Sequence, residues 1–136
     1  MFIIVCLDDR DGILFNGRRQ SRDEVLCQRV LSISAHSKLW MNTYSTRLFD
    51  VAEKNICTSE DFLNQAQRGE YCFVENCDIA AHINEIEQLI VFRWNRTYPF
   101  DITFPFHLFP DQWNLTVVDS FPGKSHEKIT MEVYRP

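Results

Sequence analysis

The sequence predicts one α/β domain of three layers: a mostly parallel twisted sheet, helices on both faces, and an antiparallel β-hairpin at the C-terminal end. Three observations carry this. Short apolar runs, the mark of strands buried on both faces, alternate with stretches of helical spacing through much of the chain. The last third switches to alternating apolar and polar residues broken by Pro, Gly and Asp. The length of 136 residues, with 45% hydrophobic and 24% charged side chains, suits a single domain spanning 1–136 with a sizeable core.

The elements follow in order. Phe2 to Leu7 is a continuous apolar run and reads as a buried strand, and Ile13 to Phe15 is a shorter patch before the turn signal Asn16-Gly17. Ser21-Arg-Asp-Glu24 reads as a capping box. Val25, Leu26, Arg29, Val30 and Leu31 follow it at helical spacing, which predicts a helix over 22–34. Lys38 to Asn42 reads as a second strand. Thr43 to Glu53, with Leu48, Phe49 and Val51, reads as a short helix, and Asn55 to Thr58 as a link or brief strand. Thr58-Ser-Glu-Asp61 opens a second capped helix carrying Phe62, Leu63 and Ala66, ended by Arg68-Gly69. Tyr71 to Val74 is a third strand, Glu75 to Asp78 a polar turn, and Ile79 with Ile83 marks a short helical stretch. Glu87 to Phe92 is a fourth strand. Trp113 to Val118 and Ile129 to Tyr134 alternate around Pro122-Gly123 and form the closing hairpin.

Charge and motif content exclude several classes. A net charge of −5 argues against nucleic acid as a partner, because phosphate binding is driven by a basic face. The local basic groups, Arg18-Arg19 with Arg22 and Arg93 with Arg96, read as solvated surface. The cysteines Cys6, Cys27, Cys57, Cys72 and Cys77 are odd in number, irregularly spaced and form no CxxC pair, which argues against a disulfide framework and a structural zinc site. The apolar run at the N-terminus is too short for a signal peptide or a membrane span, so the chain is expected to be cytoplasmic. The histidines His36, His82, His107 and His126 lack ligand spacing, and Ser125-His-Glu-Lys128 reads as a solvated turn. No GxSxG or phosphate-loop motif is present. A nuclease or hydrolase reading has only these histidines and a few arginines behind it.

The ordered set of segments resembles the dihydrofolate reductase family from end to end. Phe2-Ile-Ile-Val-Cys-Leu with Asp11-Gly-Ile-Leu and Asn16-Gly17 is similar to that family's first strand and following loop. Lys38-Leu-Trp-Met-Asn-Thr-Tyr-Ser is similar to its second strand and the start of its cofactor-binding helix. Leu89-Ile-Val-Phe-Arg, Asp101, Phe104-Pro105, Trp113-Asn-Leu and Glu132-Val-Tyr follow the family's order and spacing. The chain is shorter than the usual member, with most of the deficit between Asp50 and Thr58.

The resemblance implies a site, and the sequence departs from it. The family's substrate acid falls in the first turns of the first helix, at Glu24 or else Asp23, although Glu24 is also accounted for by the capping box. The Gly-Gly turn that cradles a pyrophosphate reads Glu75-Asn-Cys-Asp78 here, with two acidic side chains where phosphates should sit. The second phosphate contact reads Asn42-Thr-Tyr-Ser45, which keeps hydroxyls at Thr43 and Ser45 and lacks the basic residue. By position, Asn42, Thr43, Ser45, Glu75 and Asn76 hold the cofactor place, and Cys6 and Phe92 the substrate pocket. Arg18-Arg-Gln replaces a Pro-Trp pair, and Phe92 replaces a Thr of the pterin network. These departures disfavour NADPH and ordinary reductase activity. They imply a binding or interaction module for a small molecule or a protein, with a homodimer as one form it can take. The alternative is an NADPH-dependent oxidoreductase of altered substrate, using Glu24 and the start of the Thr43 helix.

Overall fold

The computed structural model describes residues 1–49 and 53–136. Its centre is a seven-stranded sheet built from β1 (Phe2–Leu7), β4 (Leu39–Met41), β5 (Ile56–Thr58), β6 (Tyr71–Phe73), β7 (Gln88–Arg93), β9 (Asn114–Phe121) and β10 (Ile129–Arg135), in the order β5-β4-β6-β1-β7-β10-β9. β1 pairs in parallel with β6 and β7, and β10 runs antiparallel to β7 and β9. The two-sided apolar runs thus occupy the middle of the sheet, and the alternating runs close one end as a hairpin. A small sheet of β2 (Gly12–Phe15), β3 (Arg18–Arg19) and β8 (Ile102–Thr103) stands beside it. Asn16 (φ 51°) and Gly17 (φ 73°) turn β2 into β3 with two consecutive left-handed residues, the conformation that a two-residue hairpin loop requires.

Helices cover both faces. α1 (Glu24–Ile33) buries Leu26, Val30 and Leu31 on one face against Ile4, Phe73, Phe92 and Val133. α3 (Phe62–Gln65) buries Phe62 and Leu63 on the other, against Ile3, Val5, Cys72 and Leu89. Between them α2 (Thr43–Thr46) is a single turn. Of the helix expected over 43–53, Thr43–Thr46 is helical, and residues 50–52, Val51 among them, lie outside the described residues. A 3₁₀ helix over Ala80–Glu85 leads into β7. Among the described residues, no helix is long and apolar enough to cross a membrane.

Both expected caps are corrected. Asp23 is the N-cap of α1: its carboxylate accepts the Val25 and Leu26 amides at 2.9 and 3.2 Å, while Ser21 faces away from the helix end. Glu24 is exposed and meets Lys124 Nζ at 2.6 Å. α3 starts three residues later than the expected cap Thr58: its N-cap is Asp61, which makes no side-chain cap. The reading of the arginines as solvated surface also fails at two positions. Arg93, only 17% exposed, pairs with Asp11 and Glu132, which raise its pKa against the lowering effect of burial, and Arg19 points inward.

Candidate functional site

From β1 the chain passes by α1 to β4 on one side of the sheet, whereas from β6 it passes by the 3₁₀ helix to β7 on the other. The carboxyl ends of β1 and β6 therefore flank a topological switch point, where open α/β sheets place their ligands. Cys6 from β1, Val74 and Glu75 after β6, the N-terminus of α1 with Asp23, and Arg19 from β3 converge there.

The crevice is closed by the protein's own side chains. Arg19 reaches across it and donates from Nε and Nη2 to the two oxygens of Glu75, at 2.8 and 2.9 Å. Ser45 Oγ donates to the same carboxylate at 2.8 Å. The guanidinium lies 4.3 Å over the Tyr44 ring, and the Arg19 amide donates to Tyr44 Oη at 2.9 Å. Burial alone lowers the pKa of Arg19, but the Glu75 carboxylate outweighs it and raises the net value. A cavity of about 20 Å³ remains behind this latch, room for a single water. Two carboxylates repelling phosphate is thus not the arrangement present. Glu75 is buried and matched by a cation, and Asp78 is turned to the Ala80 amide at 2.9 Å.

The start of α2 is likewise occupied. Asn42 caps it through the Ser45 amide and donates to Asn76 Oδ1 at 2.7 Å. Glu60 accepts both the amide and the hydroxyl of Thr43, each at 2.9 Å, and those two bonds lower its pKa. The structure thus brings Asn42, Ser45, Glu75 and Asn76 together, with Thr43 at their edge, in a network whose members satisfy one another.

The remaining expected residues separate. Cys6 lines the small cavity, and its thiol is pushed up first by burial and then by the nearby Glu75. Cys27, in the same wall, is pushed up to about 11, chiefly by burial. Neither supplies a thiolate at neutral pH. Phe92 is fully buried in the core beneath α1, with its ring edge-on to Phe121 at 6.2 Å, and does not line the crevice. Glu24 stands on the surface, away from the crevice. Asp23 is in the crevice wall, but its carboxylate is fully engaged. Besides capping α1 it accepts the amides of Lys124 and Ser125 at 3.0 and 2.8 Å and meets His126 Nδ1 at 3.1 Å.

His126 was not expected there. The turn read as solvated places it 4% exposed, stacked 4.6 Å from the Trp94 ring. Its Nε2 faces Tyr98 Oη at 2.9 Å and Ser21 Oγ at 3.1 Å. The order Ser21, His126, Asp23 is that of a hydrolytic triad. However, Nε2 is shared with the tyrosine, and the adjoining 20 Å³ cavity admits no acyl group. The cluster is a brace between α1 and the hairpin loop. Asp8 plays a similar part at the end of β1: its two carboxylate oxygens accept the Arg10 and Gly12 amides, Gln20 Nε2 and the Tyr98 amide. Burial alone raises its pKa, and these donors outweigh it to leave the net value lowered.

An open apolar concavity adjoins the latch on the side of the Glu75–Asp78 turn. A groove of about 320 Å³ runs between the Glu75–Asp78 turn and the small sheet, lined mainly by Ile13, Leu14, Ile79, Ile102 and Phe104. Cys77 lies along it, and Ile102 is 50% exposed.

Neither a protein-family model nor a curated protein matches the chain by sequence. Among solved structures it is similar to a dihydrofolate reductase from Enterococcus faecalis complexed with NADP(H) and RAB-propyl. That likeness has 13% sequence identity and a TM-score of 0.64, and covers 98% of this chain and 94% of that one. At this identity the likeness speaks for the backbone arrangement, and together with the strand order above it shows that this chain has the dihydrofolate reductase-like fold.

Proposed function

We propose that this chain is a divergent reductase-fold protein that does not transfer hydride and acts as a binding module. The observation that carries the reading is the latch of Arg19, Glu75 and Ser45 across the switch point. It fills the place where the resemblance expects a dinucleotide, and Glu60 fills the second phosphate position at Thr43. The residues present do not fit NADP(H). Glu24, the acid expected for proton delivery, is outside the crevice, and Asp23 is spent on holding two loops together. The apolar groove beside the latch stays open. Its volume is near the lower end of ligand pockets, about 300–1,000 Å³, and its walls suit a small apolar ligand.

The test is a thermal shift with NADPH, NADP, NADH and dihydrofolate at millimolar concentration. A ligand at a hundredfold excess over its Kd stabilises by about 2.7 kcal/mol, a shift of several degrees in a domain of this size. The expected result is no shift with any of them, and a saturable shift with NADPH would overturn the reading. The groove is tested by fragment screening with NMR. Amide shifts should gather at Ile13, Ile79 and Phe104 and vanish in Ile102→Asp.

A further inference from the structure

We propose that Glu75, Ser45 and Tyr44 form a binding site for a planar guanidinium or amidinium cation, which Arg19 of the same chain fills and which a soluble cation of this class enters by displacing it. The inference goes beyond the binding-module reading and does not depend on the apolar groove.

The occupant is specified by the groups that hold it. Glu75 offers both carboxylate oxygens to two N–H groups on one side of a flat cation, Nε and Nη2 of Arg19, at 2.8 and 2.9 Å. Two parallel bonds of this kind need donors fixed in one plane, which guanidinium and amidinium groups have and an ammonium group lacks. The Tyr44 ring lies 4.3 Å from the guanidinium carbon, and such a ring face favours a flat, weakly hydrated cation. The Tyr44 carbonyl accepts a further bond from Nη2 at 3.3 Å. Ser45 Oγ donates to Glu75 Oε1 at 2.8 Å and holds the carboxylate in position. A net charge of −5 draws cations to the protein and opposes anions.

The two sides of the contact belong to different parts of the fold. Tyr44 and Ser45 lie on α2 and Glu75 follows β6, all on the framework of the main sheet, whereas Arg19 comes from β3 of the small sheet. β3 has two residues and pairs with β2 at Leu14–Arg19 and Phe15–Arg18. Phe15, Asn16, Gly17 and Arg18 are all exposed, and a Cβ on Gly17 would meet nothing within 4 Å. The hairpin tip is therefore free of the core, while buried Ile13 and Leu14 on one side and the Gln20–Asp8 bond at 3.0 Å on the other anchor its base. Outward movement of the tip breaks the two bonds to Glu75 and those to Tyr44, and leaves the core packed. Glu75 cannot follow. It is 8% exposed, and a buried carboxylate that loses its cation is strongly destabilised, which favours entry of another cation of the same shape.

The experiment is an NMR titration with methylguanidinium, and with methylammonium as the point-charge control, kept below concentrations that unfold the chain. The proteins are the wild type, Arg19→Ala, and Arg19→Ala combined with Glu75→Gln. The expected result is saturable shifts of the Tyr44 and Ser45 amides in Arg19→Ala. Methylguanidinium should bind that variant about tenfold or more tighter than it binds the wild type, in which Arg19 holds the site, and about tenfold or more tighter than methylammonium does. The double variant should not saturate. A folded Arg19→Ala that does not saturate, or that takes both cations equally, overturns the proposal. The wild type gives a second readout that needs no variant. Its Arg19 Nε–H resonance should move towards that of a free arginine side chain as methylguanidinium is added, and stay in place with methylammonium. A resonance unmoved by either cation overturns the proposal as well.

Discussion

Replacing Asp23 tests whether one buried carboxylate joins the first helix to the far end of the chain. Its oxygens hold the α1 cap, two amides of the hairpin loop and His126. Loss of an N-cap costs about 1 kcal/mol. A buried donor left without a partner costs about 1–3 kcal/mol. With the loop amides and His126 each near the low end of that range, Asp23→Ala should lose about 4 kcal/mol, a large share of the roughly 5–15 kcal/mol that holds a domain together. Urea unfolding followed by circular dichroism reads this directly.

The same residue sets part of the acid stability. Burial alone raises the Asp23 pKa, but the bonds from His126, Lys124, Ser125 and Leu26 outweigh it and bring the carboxyl from 3.8 to about 2. Because the folded value lies below the unfolded one, the stabilisation is fully present above the unfolded pKa. It is lost as pH falls through the folded one, between about 4 and 2, and amounts to about 2 kcal/mol. Asp23→Asn should flatten the acid limb in that window by the same amount. A loss below about 1 kcal/mol in Asp23→Ala, or an unchanged acid limb in Asp23→Asn, would refute the argument.

The latch gives a second expectation. Arg19→Met leaves Glu75 buried without its cation and should cost about 3 kcal/mol, whereas Arg19→Met with Glu75→Gln should cost less than the sum of the single changes, as a double-mutant cycle in urea will show. Gly123 gives a third. A Cβ there would stand 2.7 Å from Asp23 Oδ2 and 2.8 Å from the His126 carbonyl, so Gly123→Ala should cost about 1–3 kcal/mol and lower the melting temperature accordingly.

How much of this was legible in the sequence follows from how far each interaction reaches. The continuous runs at Phe2–Leu7 and Gln88–Arg93 are adjacent, parallel and central, because a strand buried on both faces leaves an unbroken apolar signature. The closing hairpin was equally clear from its alternation. The first cap was misread because Ser21 and Asp23 are both good cap residues. What decides between them is the Lys124–His126 loop, about a hundred positions away. Arg19 and Glu75 are separated by 56 positions, and nothing around Arg19 distinguishes an inward guanidinium from a solvated one. The polar neighbours of His126 made its turn read as surface although the ring is buried. Of the small sheet that positions Arg19, only the Ile13–Phe15 patch and the Asn16-Gly17 turn showed in the sequence, because β3 and β8, with two residues each, are too short to carry any period. The resemblance grouped Asn42, Ser45, Glu75 and Asn76 as one set of positions, and the structure joins them in one hydrogen-bond network. The closure of the crevice was not legible.

The latch can also be viewed as a competition. Arg19 is a ligand tethered to its own receptor, and the β2–β3 hairpin that carries it fixes its range of motion. A group held so close acts at an effective concentration of millimolar or above for a short flexible tether, and higher where the tether is rigid. A soluble cation contending for Glu75 must overcome that local concentration before gaining any contact of its own. Changing the stiffness of the Asn16-Gly17 turn would therefore tune access to the crevice without altering one residue in its walls.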